Sequence, residues 1–307
     1  MATMTETPEA TGTYTISHDY HAEANVLSGE LKRPIKEEIE QQAPVSLNDR
    51  RGGHFTREVK HFTVEGLISF SRGETRVSGA RSLKNENWVT LSTSVMEGLN
   101  VFEVITADRV VSQVSTDHAY HNGPGPQGYI PQVTFLGTQF QNLRVSGIPV
   151  TLTLDLSICG DLPANGKTYL HDPKFLGAVQ AQASKIANTP GLPKELKDQY
   201  DGKLARLKEQ IGASAGANQG SHEPITCSLV QDIDVHIPGV KAYGNVLVIE
   251  HFGTVALGEL VVGETLDPLY NRYDPYFELT GINMNLGCIG DATAKVAMVA
   301  ANGHTKP

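Results

Sequence analysis

Between Val150 and Ile158 the chain reads VTLTLDLSI, where Val150, Leu152, Leu154, Leu156 and Ile158 alternate strictly with Thr151, Thr153, Asp155 and Ser157. A period of two sends the apolar side chains to one face of a strand and the polar ones to the other, so the stretch predicts a half-buried strand. From His54 onward the same rhythm runs through HFTVEGLISFSRG, WVTLSTSVMEGLNVFEVITADRVVSQVST and QVTFLGTQFQNLRVSGIPV. It resumes in CSLVQDIDVHI, GNVLVIEHFGTVALGELVVGE, YFELTGINMNLGC and ATAKVAMVAANG. With charged residues at 19% and 30 glycines, the composition suits strands and turns better than helices.

The intervening segment has a different period. In Pro173–Ala187 an apolar stripe runs through Phe175, Leu176, Val179, Ala183 and Ile186. In Pro193–Ile211 it runs through Leu196, Tyr200, Leu204, Leu207 and Ile211, the spacing of one helix face, with Gly212 where a C-terminal cap belongs. NTPGL joins the two as an αα-hairpin. The fold class expected is mainly β, an antiparallel sandwich or barrel with an inserted αα-hairpin. Residues 54–160 and 222–307 then form one β-rich domain, residues 161–221 the helical insertion, and residues 1–53 a partly disordered N-terminal arm with a short helix at Pro34–Gln41.

A net charge of −9, with no Lys/Arg-rich stripe outside one helical segment, disfavours nucleic acid. No apolar run is long enough for a membrane span, and the N-terminus lacks the basic and apolar regions of a signal peptide. The three cysteines, Cys159, Cys227 and Cys288, form no CxxC pair. They read as small buried hydrophobes, although Cys159 and Cys288 end similar strands and would suit a bridge in an exported protein.

Chemistry is sparsely marked. Two histidine clusters share a spacing, His18-Asp19-Tyr20-His21 and Asp117-His118-Ala119-Tyr120-His121. In the second, Asp117, His118 and His121 are candidate ligands for a divalent metal, the only cofactor these residues suggest, with solvated loop histidines as the alternative. Tyr270, Tyr273 and Tyr276 in LYNRYDPYFEL are candidates for a sugar-binding platform, or else core anchors of an ordinary loop. GASAG at residues 212–216 has the letters of a GxSxG elbow but follows a helical pattern and not a strand, no Walker-type sequence appears, and no GxGxxG spacing lies in a βαβ setting.

LSTSVMEGLNVFEVITADRVVSQVST, FLGTQFQNLRVSGIPV and GNVLVIEHFGTVALGELVVG ahead of YFELTGINMNLGCIGDATAKVAMVAANG resemble the bacterial choice-of-anchor P family. That resemblance implies an exported β-rich protein presented at or beyond the cell surface, with no assigned catalytic residues, whereas the absent signal peptide points to the cytoplasm. The expected function is a non-enzymatic structural or binding protein, self-associating through the N-terminal arm or displayed at a surface. The competing expectation is a metal-dependent or carbohydrate-active enzyme using the Asp117–His121 loop.

Overall fold

The computed structural model describes residues 17–33, 36–120, 129–164, 167–214, 221–269, 271–287 and 292–306. In chain order the strands are β1 (Ser17–Leu31), β2 (Glu37–Ile39), β3 (Val45–Asp49), β4 (Gly53–Val64), β5 (Ile68–Arg81), β6 (Trp88–Val101), β7 (Ile105–His118), β8 (Gln132–Thr134), β9 (Gln139–Gln141) and β10 (Arg144–Val145). There follow β11 (Ile148–Pro149), β12 (Thr151–Leu154), the helices α1 (Pro173–Ala187) and α2 (Lys194–Ser214), β13 (Ile225–Ser228), β14 (Val230–Asp234), β15 (Val240–Tyr243), β16 (Val246–Ile249), β17 (Gly253–Asp267), β18 (Arg272–Leu286) and β19 (Ala292–Lys306).

A nine-stranded antiparallel sheet runs β15-β16-β17-β18-β19-β1-β2, with β13 also on β17 and β3 also on β1. An eight-stranded sheet runs β11-β10-β7-β6-β5-β4, with β8 and β9 on β7. The two pack face to face as a sandwich; among the described residues there is no closed barrel, and no helix is long and apolar enough to cross a membrane.

Small and hydroxylated residues let these sheets approach closely. Ser92 Oγ donates across the gap to the Glu23 carbonyl (2.6 Å) and Ser94 Oγ to the Asn25 carbonyl (2.9 Å). A Cβ on Gly281 would lie 2.9 Å from Ser112 Oγ, and one on Gly303 within 2.6 Å of the His18 and His118 rings. The hydroxyls satisfy carbonyls that such close packing would otherwise strand away from water.

Partway along the long strands the buried face changes side. In β17, Val255 and Leu257 are buried before the shift and Leu260, Val262 and Glu264 after it, with left-handed Gly258 at the change. Gly98 in β6 and Ala297 in β19 sit at the same kind of shift. A residue with positive φ turns the following side chains to the opposite face, which divides the interior into two cores. One gathers Leu27, Met96, Ile105, Leu257 and Ile282; the other gathers Ala22, Val114, Leu260, Phe277 and the hairpin residues Phe175 and Leu176.

The hairpin forms where its periodicity places it. Asp172 caps α1 by accepting from the Lys174 and Phe175 amides, and Pro173 occupies the first turn. All five stripe residues of α1 are buried. In α2 only Leu207 of the stripe is fully buried, Leu204 and Tyr200 are half-covered, and the helix runs through Gly212 to Ser214 without stopping at it.

Three expectations need correction. Residues 17–31 are not an arm: β1 lies between β19 and the β2 and β3 strands and packs on the other sheet. Of the helix expected at Pro34–Gln41, residues 34 and 35 lie outside the described residues and 37–39 form β2, whose Glu37, Glu38 and Ile39 pair with Leu31, Glu30 and Gly29, so sheet pairing overrides the local charge pattern there. The alternating segment after Val150 contributes only β12, a four-residue strand paired with β14 outside both large sheets. Cys159 and Cys227 are buried free thiols, so Cys159 is not bridged; Cys288 lies outside the described residues.

Candidate functional site

Where the hairpin leaves and rejoins the β body, three side chains converge. His171 closes a 3-10 turn, Tyr169–His171, one residue before the Asp172 cap. His222 follows α2 and its linker, three residues before β13. Glu264 stands on β17 beyond the shift at Gly258, in phase with Leu260 and Val262, so it faces the core beneath the hairpin. Each offers a ligand atom, all within 4.8 Å of one another.

Glu264 holds the group together. Its side chain is 0% exposed, against 10% for His171 and 38% for His222. Oε1 faces His171 Nε2 at 3.4 Å and is hydrogen-bonded to His222 Nδ1. Oε2 and His171 Nδ1 are buried without a hydrogen bond of good geometry. Burial pushes the Glu264 carboxyl up, but His171, the Thr168 hydroxyl and His222 together outweigh it and hold it below the usual carboxylate range.

The surroundings fix the rings. His222 stacks on Tyr273, centroids 3.6 Å apart and planes 7° from parallel, and meets His171 edge-on at 5.2 Å. Gln210, near the end of α2, donates to the carbonyls of Leu170 (2.8 Å) and Ser221 (3.0 Å), the residues immediately before the two histidines. On α1, Gln182 accepts from the Ser228 amide (3.0 Å) and donates to its carbonyl (2.9 Å). Both glutamines satisfy backbone that an inserted helix pair would otherwise leave buried and unbonded.

The residues singled out in the sequence are placed differently. His118 and Asp117 are neighbours on β7 and face opposite ways. His118 is 0% exposed inside the sandwich, while Asp117 accepts from Asn87 Nδ2 at 2.7 Å. They do not converge as ligands of one ion, and His121 lies outside the described residues. Instead the two histidine clusters each supply one ring to a shared interior contact. His18 and His118 lie 4.6 Å apart between the sheets, with His18 stacked on Trp88 at 5.4 Å and its Nδ1 3.0 Å from Thr305 Oγ1.

Tyr273 and Tyr276 are three apart on β18 and so occupy opposite faces, Tyr273 against His222 and Tyr276 flat over Gly263, whose added Cβ would fall 2.2 Å from the ring. They do not share a platform, and Tyr270 lies outside the described residues.

His171, His222 and Glu264 carry no spacing motif, being separated in the chain by the whole insertion and then by β13 to β17. One signal was readable: in LVVGE, Glu264 continues the inward phase of Leu260 and Val262, where an unpartnered carboxylate would be costly.

A family model described as a domain of unknown function (DUF8256) matches residues 18–263. No curated protein matches the chain, and no solved structure does. The matched region covers the eight-stranded sheet, the hairpin and the nine-stranded sheet up to β17, and ends one residue before Glu264, with β18 and β19 beyond it.

Proposed function

We propose that this chain, which belongs to the DUF8256 family, is a non-enzymatic structural or binding protein in which a β-sandwich presents a clasped helical hairpin. One observation carries the reading: the two joints of the insertion, through His171 and His222, meet on a single buried carboxylate of the sheet. Tying both ends of a long excursion to one point restricts the loop far more than anchoring either end alone. Gln210, bonded to the carbonyl before each histidine, reinforces the same junction from α2. Among the described residues, Asp117 and His118 diverge and do not assemble in this way. Self-association and display at a surface, the latter implied by the choice-of-anchor P resemblance, extend the same proposal.

The clasp is tested by hydrogen exchange on the full-length Glu264→Ala protein with chelator present. Removing the acceptor shared by two histidines costs about 2 kcal/mol locally, so amides of residues 173–214 should exchange at least about tenfold faster while those of β5–β7 stay unchanged. Unaltered exchange in the hairpin would sink the clasp.

A further inference from the structure

We infer that His171, His222 and Glu264 form a binding site for a divalent first-row transition metal of the zinc class. The inference rests on the clasp reading and gives the junction a cofactor.

Two imidazoles and one carboxylate are the borderline donors such ions prefer, and magnesium and calcium, which favour sets of oxygen ligands, are not matched. The spacing agrees. Metal–ligand bonds of about 2.1 Å at a tetrahedral angle place donor atoms about 3.4 Å apart, and His171 Nε2 lies 3.4 Å from Glu264 Oε1. His222 Nδ1 is now hydrogen-bonded to that oxygen and must retreat to admit an ion. Its side chain is the exposed member of the three, 38% accessible, and is stacked on Tyr273. Binding takes the neutral His222 ring with its hydrogen on Nε2, which leaves the Nδ1 lone pair for the ion in place of the contact with Glu264.

Independently of the donor set, the cluster is electrostatically incomplete. Glu264 Oε2 is buried without a hydrogen bond of good geometry, the Thr168 hydroxyl being near the carboxyl but not aligned on it, on a side chain fully withdrawn from water. A buried carboxylate normally fills its lone-pair sites, and an ion at the centre of this cluster would supply the missing charge. The second layer is present as well. Tyr273 fixes the plane of His222, and Gln210 holds the backbone carrying both histidines. Three protein donors leave the fourth position to water.

The test uses the full chain, stripped with chelator and dialysed, then titrated with Zn²⁺ by calorimetry, with Co²⁺ as a coloured probe and Mg²⁺ as the counter-probe. We expect one Zn²⁺ per chain, a tetrahedral Co²⁺ spectrum and no Mg²⁺ binding. Glu264→Gln and His222→Gln should each weaken Zn²⁺ at least tenfold, while His236→Gln and His251→Gln, at exposed positions away from the junction, should leave it unchanged. His222→Gln alters an exposed side chain and keeps the experiment decisive if Glu264→Gln fails to fold. The inference is overturned if the wild type takes up no Zn²⁺, or if the junction variants bind it as tightly as the wild type. Because the clasp is measured in chelator, faster hairpin exchange in Glu264→Ala with no Zn²⁺ uptake by the wild type would overturn the metal and keep the clasp; unchanged exchange would remove the clasp and this inference with it.

Discussion

Burial pushes the Cys227 thiol up to about 12, with the nearby Lys203 only partly offsetting it, and Cys159 is raised as well. An unfolded thiol ionises near about 8.5. The folded value being the higher, the stabilising contribution is complete below about pH 8.5 and is lost as pH rises toward 12. The thiolate is the reactive form, so iodoacetamide at pH 8 should leave Cys159 and Cys227 unlabelled in the native protein and modify both in denaturant; rapid native labelling, resolved by peptide mass, would contradict this burial. Legibility at this scale was uneven. The cysteines announced themselves as hydrophobes. His171, His222 and Glu264 did not announce themselves as a site, because sequence spacing reports neighbours along one element and this junction joins a turn, a linker end and a distant strand.

The helices were the most legible elements, since a period near 3.6 requires only one partner surface and α1 ends where its stripe ends. The strand that seemed plainest, Val150 to Ile158, became a minor ribbon, whereas the polar-looking β1 became a central one. The sandwich interface explains the inversion: the inward positions of β1 are His18, Tyr20, Ala22 and Ala24, facing Thr90, Ser92 and Ser94. Hydropathy finds strands that bury large aliphatics and misses those that bury small residues and hydroxyls against another sheet. The midway change of face also shortens each run of alternation. For the hairpin, the half-covered face of α2 sets a graded expectation. Leu207, 2% exposed, should cost about 3 kcal/mol when replaced by Ala and more when replaced by Asp. Leu204, packed at the border of the same core, should cost roughly half as much for the same change, the swing to solvent being open to it. Urea denaturation of the two Ala variants compares them directly, and equal losses would mean that α2 lies deeper than its pattern of exposure indicates.

Over the whole molecule, the first and last described strands close the structure on each other. β1 and β19 pair from Ser17↔Lys306 to Leu31↔Ala292, so the nine-stranded sheet is completed only when both ends of the chain are in place. Such long-range pairing folds late and cooperatively, because a large loop must close before the contacts reward it. Among the described residues β4 is the longest of the sheet edges, exposed along most of its length, and it is guarded by Arg57, Glu58 and Lys60 and interrupted at left-handed His61. Association through an N-terminal arm and integration of that segment in the sheet make opposite forecasts for a chain beginning at residue 54. An arm can be removed to leave a folded protein of lower mass. Removing β1 to β3 instead strips Tyr20, Val26, Leu27 and Leu31 from the core and bares the β19 edge. At about 1.5–3 kcal/mol for each large buried side chain, the loss rivals the total stability of a domain, about 5–15 kcal/mol. The truncated chain should therefore lack a cooperative melting transition and run as aggregate in light scattering. A sharp transition with a reduced mass would restore the arm and remove β1 from the centre of the fold.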